Sequence, residues 1–193
     1  MIRKAAFLDV ETTGFRPPED EIIEIAIALI SFNDETWQLL DLLQKYSGLR
    51  QPSFPIPKQA TKVNGITDRE VKGKRLDNRA ILKIINQADI MVAHNAKFDY
   101  QFTIYYLPEF EQKPWHCSME QVKWPGGLRA LKEIAKSFGL EGAVKHHRAI
   151  HDVALMVDLL NKSDEQGNTY FKQLLDAGPM PENKLIKFKP IRL

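Results

Sequence analysis

The chain has 193 residues, 44% apolar and 27% charged, which is ordinary globular composition and long enough to bury one core without staples. A formal net charge of +2 excludes the strongly basic class of nonspecific nucleic-acid binders, and one cysteine, Cys117, excludes an intramolecular disulfide and fits a reducing compartment. No stretch reaches the roughly 18 apolar residues of a membrane span, and MIRKAAFLDVETTG has too short an apolar run for a signal peptide, so a cytoplasmic location is expected.

The first predicted element is a buried strand at 4–10, KAAFLDV. An isoleucine-rich strand follows at 21–32. Asn33 and Asp34 supply turn chemistry, and TWQLLDLLQKY at 36–46 completes a hairpin with a third strand. The segment QPSFPIPKQATKVNGITDREV, 51–71, carries three prolines and reads as loop and short helix. An amphipathic helix is expected at 78–87, then a short strand, ADIMVA. Asn95 is placed to cap a helix over 96–106 that turns Phe98 and Phe102 inward. WHCSM reads as one more strand. LRALKEIAKSF, 128–138, is an amphipathic helix stopped by Gly139, and a strong helix runs from Ala149 to Asn161. A hairpin followed by alternating strands and helices predicts an α/β fold with a mixed sheet. A helix is expected around 168–176. Beyond it, AGPMPENK breaks structure, and Lys184–Leu193 holds three lysines, one arginine and no acid. That tail reads as an edge strand packed on the domain or as an arm for a partner.

The first strand raises a chemical question. Residues two apart on a strand share a face, so Asp9 and Glu11 point the same way near its end. Like charges side by side and partly buried repel, and they require a cation or a proton. Alone, Asp-x-Glu is a common pair of surface acids. Two later segments add to it. MVAHNAKFDYQF, 91–102, sets Asp99 about one turn into a helix after a buried strand, where α/β folds gather their sites. HHRAIHDVALMVDLL, 146–160, sets Asp152 five residues after His147. On one continuous helix that spacing is about 140°. The two face one site only if His147 lies in the loop before the helix and Asp152 in its first turn. Asp152 then shares a stripe with Leu155, Met156 and Leu159, and an acid on a sheet-facing stripe is costly unless paired or metal-bound.

Together these segments resemble the DnaQ-like (DEDDh) 3′–5′ exonucleases, the family that includes the epsilon proofreading subunit of bacterial DNA polymerase III and RNase T. The matching motifs are DVETTG with Asp9 and Glu11, HNAKFD with Asp99, and HRAIHD with His147 and Asp152. EIIEIA, NGITDREV, LRALKEIAKSFGL and WHCSMEQVKW agree, and the resemblance covers roughly residues 4–162. It implies an RNase H-like fold, a mixed sheet of about five strands flanked by helices. It sets an exonuclease domain at 1–162 and a C-terminal helix and basic tail at 163–193. It also implies two Mg²⁺ or Mn²⁺ ions held by Asp9, Glu11, Asp99 and Asp152, since these cations take oxygen ligands. Such ions clamp the attacking and leaving oxygens of an in-line displacement.

The same resemblance makes His147 the general base; His146 and His151 are set aside by the family spacing, and His94 and His116 are read as structural. Backbone and hydroxyl groups of Val10, Thr12 and Thr13 are placed to meet the terminal nucleotide. Gly14 permits a tight turn beside it, and Phe15 can wedge against the last base. Gln59 and Asn64 stand where relatives carry glutamate and histidine, a departure that bears on the end-group contacts and not on the metal chemistry. Lys97 and Tyr100, beside Asp99, read either as phosphate contacts or as ordinary surface residues. The implied activity is release of nucleoside 5′-monophosphates from 3′ ends of single-stranded or frayed nucleic acid, DNA ahead of RNA, with a polymerase or clamp as a partner for the tail. The alternatives are an idle docking module, a nuclease of dinucleotides or short oligoribonucleotides, and an RNase H-type endonuclease. The oligomeric state is not legible.

Overall fold

The computed structural model describes residues 1–140 and 148–186; His147 and the end of the basic tail, 187–193, lie outside the described residues. Five strands, β1 (Ile2–Thr12), β2 (Ile22–Asn33), β3 (Leu39–Leu49), β4 (Ile90–Ala93) and β5 (Trp115–Cys117), form one sheet in the order β3-β2-β1-β4-β5. The first three are antiparallel neighbours, and β4 and β5 add in parallel. The helices are α1 (Lys58–Asn64), α2 (Asp68–Val71), α3 (Asn78–Gln87), α4 (Ala96–Tyr106), α5 (Ser118–Gln121), α6 (Leu131–Ser137), α7 (Ala149–Leu160), α8 (Tyr170–Asp176) and α9 (Glu182–Leu185). This is the mixed α/β sheet expected. No described helix is long and apolar enough to cross a membrane.

Helices cover both faces of the sheet, so β2 is buried along almost all its length and reads as a continuous apolar run. On β1 the strand period sorts residues between two layers. Ala6, Leu8 and Val10 join α3 and α4. Ala5 and Phe7 join α6, α7 and α8. Asp9 and Glu11 continue the second row, so the alternation that buries Phe7 carries both acids onto the side of the sheet covered by α7. The second layer closes on Phe171 of α8, whose ring centroid lies 6.1 Å from that of Phe7 and 5.1 Å from that of Phe32.

Several boundaries differ from expectation for local reasons. The third strand starts at Leu39 rather than Thr36. Asn33 Oδ1 accepts the N–H groups of Glu35 and Thr36, which winds the chain into a longer hairpin loop with Trp37 at φ 59°. The strand WHCSM ends at Cys117, because Gln121 Oε1 accepts the Cys117 N–H at 2.7 Å and starts the α5 turn. The helix expected from Leu128 starts at Leu131, after two glycines with positive φ, Gly126 and Gly127. Asn95 occupies the N-cap position of α4, but its side chain makes no capping bond; its carbonyl accepts the Phe98 N–H at 2.7 Å. Tyr100, expected within reach of phosphate or at the surface, is buried edge-on against Trp115, with ring centroids 5.4 Å apart.

Candidate active site

Three carboxylates meet at the end of β1. Ligand oxygens of Asp9, Glu11 and Asp152 all lie within 4.8 Å of one another. β1 supplies two through its period of two, and α7 supplies the third from its first turn. Asp99, from the first turn of α4, sits beside them with Oδ1 accepting the Val10 N–H at 3.2 Å. Asp99 and Asp152 are 2% and 5% exposed. Two unit charges at 4.8 Å repel by about 3.5 kcal/mol at an effective dielectric of 20, so the cluster cannot carry all its charge without a counter-cation or protons. Burial pushes the Asp99 carboxyl up to about 8, against the bond from Val10, with Glu11 and Asp152 adding to the rise. Asp9 is raised well above the usual carboxylate range by burial, then by Asp99, Asp152 and Glu11. An all-oxygen, all-carboxylate donor set fits a hard divalent cation such as Mg²⁺ or Mn²⁺.

α7 has to be held so that Asp152 points at β1, and one buried acid does this. Glu24 is 1% exposed and lies opposite Glu11 on β2. Its Oε2 accepts the Ala149 N–H at 3.1 Å, capping the start of α7 from across the sheet. Arg148 Nε donates to both Glu24 oxygens at 3.1 and 3.2 Å, and Nη2 donates to Oε1 at 2.9 Å. Arg148 Nη1 reaches Glu70 Oε1 of α2 at 3.3 Å. One guanidinium therefore ties together three segments that the sequence shows as separate motif echoes, EIIEIA, NGITDREV and HRAIHD. Sequence reasoning assigned no role to Glu24, Glu70 or Arg148.

Beside the acids, a cavity of about 350 Å³ is lined by Val10, Glu11, Thr12, Thr13, Gly14, Phe15, Gln59 and Asn64, with Ala60, Val63 and Phe98 completing it. The seven residues expected to contact substrate thus share one wall with Glu11, one of the three clustered carboxylates. Phe15 is 84% exposed and meets Phe98 edge-on, with ring centroids 6.2 Å apart. Asn64 is buried, and its Oδ1 accepts the Ile66 N–H at 2.9 Å, so its acceptor end is used within the turn. Gly14 differs from expectation in its physical reason. It does not take a positive φ. A Cβ there would lie 2.3 Å from Asp20 Oδ1, and that carboxylate accepts from Thr13 Oγ1 at 3.2 Å and the Arg16 N–H at 3.0 Å.

Among the histidines, His94 bonds Ser118 Oγ at 2.9 Å and the Arg129 carbonyl at 2.6 Å, and burial lowers its pKa. His116 is buried, with Nδ1 lacking a hydrogen-bond partner among the described residues, and burial lowers its pKa to about 4. His151 is exposed on α7.

A family model described as Exonuclease, of RNase T type, matches residues 6–160. The chain is 32% identical over 153 residues to the PolC-type DNA polymerase III of Thermotoga maritima, a match covering 75% of this chain and 11% of that polymerase. The chain thus spans about a tenth of the PolC-type polymerase it matches. It is 27% identical over 187 residues to the DNA polymerase III subunit epsilon of Aquifex aeolicus, covering 89% of each. In three dimensions it is similar to exonuclease X in complex with 5′-overhanging duplex DNA, with a TM-score of 0.59 and 28% identity over 90% of this chain and 98% of that one. The fold is RNase H-like, as expected.

Proposed function

The chain belongs to the exonuclease family, and from that premise we propose that it is a metal-dependent 3′–5′ exonuclease that releases nucleoside 5′-monophosphates from single-stranded or frayed 3′ ends, DNA ahead of RNA. The observation that carries the reading is the meeting of Asp9, Glu11 and Asp152 within 4.8 Å, beside Asp99 and next to a cavity of nucleotide dimensions. Asp9, Glu11, Asp99 and Asp152 would hold two Mg²⁺ or Mn²⁺ ions. When bound, such ions supply positive charge at the reacting phosphate and acidify water. The residues supply the rest. Val10, Thr12 and Thr13 present backbone and hydroxyl groups to the terminal nucleotide, and Phe15 offers its exposed ring to the last base. Gln59 faces the cavity from α1, and Asn64 donates through its amide nitrogen. Glu24 and Arg148 fix the start of α7 and so aim Asp152. His147, one residue before Arg148, accepts the proton of the attacking water. A cytoplasmic location and a polymerase or clamp partner belong to the same reading.

The test is digestion of 5′-labelled single-stranded DNA and RNA of matched sequence with Mg²⁺, with Mn²⁺ and with chelator. The expected result is a ladder shortening from the 3′ end, abolished by chelator and by Asp152→Asn and reduced at least a hundredfold by His147→Ala. Cleavage that survives chelator, or a ladder shortening from the 5′ end, would overturn it.

A further inference from the structure

Beyond the acid site, cavities continue along the side of α4. The ring of Phe98, on the wall of the first cavity, contacts that of Phe102 at 4.8 Å between centroids. Phe102, Tyr105 and Tyr106 then line a second cavity of about 290 Å³ with Arg50 and two acids, Glu21, which pairs with Arg50, and Asp20, which accepts from Thr13 and Arg16. Arg50, Ser53 and Tyr106 are shared with a third cavity of about 510 Å³, whose remaining wall includes Gln51, Lys74 and Arg75 and no acid. The charges there are not all spoken for. Arg50 is paired with Glu21 at 2.6 Å and lies over the Tyr106 ring at 5.6 Å. Lys74 and Arg75 form no ion pair among the described residues, and both are exposed. The nearby Asp77 is engaged in capping α3 through the N–H groups of Arg79 and Ala80.

The wall that carries the two cations is pinned in place. The Gly73 N–H donates to Gln51 Oε1 at 2.6 Å, and the Gln51 N–H donates to the Lys74 carbonyl at 3.0 Å. Tyr106 Oη donates to Asn78 Oδ1 at 2.6 Å across the same cavity. Two cations with no ion-pair partner among the described residues, reached past the partly exposed rings of Phe98, Tyr105 and Tyr106, suit a phosphodiester chain: rings give sequence-tolerant contacts to bases, and Lys and Arg neutralise phosphates.

We propose that Lys74 and Arg75, with Arg50 behind them, form a phosphate subsite for the strand 5′ of the terminal nucleotide, which leaves the acid site along α4. The inference rests on the exonuclease reading and adds a direction and a length to it. Phe98 and Tyr106 are eight residues apart on α4, which is about 12 Å of helix axis. At 3.4 Å per stacked nucleotide that is about four nucleotides. Short oligomers therefore stop before the subsite, and longer ones reach it.

The test is fluorescence anisotropy of fluorescein-labelled oligothymidylates of three and twelve nucleotides, in chelator and over a range of salt, with the wild-type chain and a Lys74→Gln/Arg75→Gln variant of unchanged thermal midpoint. The expected result is about a tenfold loss of affinity for the twelve-mer and a salt slope shallower by about 1.4, two phosphate contacts at 0.7 each for single strands. Affinity for the trimer stays within twofold. Equal binding by the two proteins at both lengths, or an equal loss at both, overturns the subsite. The underlying reading fails separately. If wild-type protein cleaves no polymer with either metal while twelve-mer binding still depends on Lys74 and Arg75, the subsite stands and the exonuclease does not. If cleavage is normal and the variant binds each length as the wild type does, the reverse holds. A wild-type chain that binds neither oligomer sinks the subsite and leaves the exonuclease to the cleavage assay.

Discussion

At the scale of single residues, the carboxylate cluster trades charge for protons. Asp99 titrates near 8 and Asp9 well above its usual range, both chiefly through burial. Unfolding returns each to the ordinary carboxylate range near 4. Between those values the folded chain holds protons that the unfolded chain has released, so stability is fullest at low pH and is lost as pH rises through the folded values. His116 acts in the opposite sense, but only below its ordinary value of about 6.5. The expected outcome is that, in chelator, the thermal midpoint falls from about pH 6.5 to 8.5. Saturating Mg²⁺ or Mn²⁺ raises the midpoint and flattens the decline, and Asp99→Asn flattens it without metal. Thermal scans across pH, with and without metal, check this. A midpoint that rises with pH in chelator would contradict it. Gly14 belongs to the same scale. The Gly14→Ala methyl would displace an Asp20 carboxylate held by two hydrogen bonds. It is expected to cost about 1–2 kcal/mol in denaturant titrations and to raise KM more than it lowers kcat, because the loop borders the cavity proposed to take the nucleotide.

At the scale of elements, α7 is aimed by a clamp at its first turn. Glu24 is almost fully buried, so removing its partner strands a charge, and breaking such a pair costs about 3–5 kcal/mol. Arg148→Met is expected to destabilise by that order and to lower kcat, since Asp152 loses its fixed position. The double variant Glu24→Leu/Arg148→Met should be more stable than Arg148→Met alone while remaining poorly active. Chemical denaturation and single-turnover rates separate the two effects. Strict additivity of the single changes would show that the clamp is not a unit. The motif echoes EIIEIA and NGITDREV were visible in the sequence, yet their acids carried no assignable role. The contacts join positions 124 and 78 residues apart, and no periodicity reports a partner at that distance.

At the scale of the whole molecule, the second core layer is closed from the C-terminal side. Tyr170, Phe171 and Leu174 of α8 are buried with Phe7, Phe32 and α7, and Met180 and Leu185 join the layer on the other face. Deleting everything after Lys162 would expose that core. Phe171→Ala alone is expected to cost about 3–5 kcal/mol, and the truncated chain to be insoluble or to lose its cooperative melt. Circular dichroism and a solubility assay decide it. A truncated chain that melts cooperatively near the wild-type midpoint would place α8 outside the folding unit.

The sequence by itself determined the α/β class, the pairing of Asp9 with Glu11 on one face, the buried stripe carrying Asp152 and the place of Asp99 in the first turn of α4. Each depends on a local period, 2 for strands and 3.6 for helices, that a reader can count. Turn detail escaped it, because the Asn33 and Gln121 side chains rerouted the backbone through hydrogen bonds no pattern announces. Only the tertiary structure decided that β1 and α7 bring three carboxylates within 4.8 Å, and that Arg148 joins Glu24 to Glu70. It alone gathered Lys74, Arg75 and Arg50 around one cavity. The physical reason is the same in each case. Charges meet across the sheet at a distance set by packing, and the chain between them carries no record of that distance.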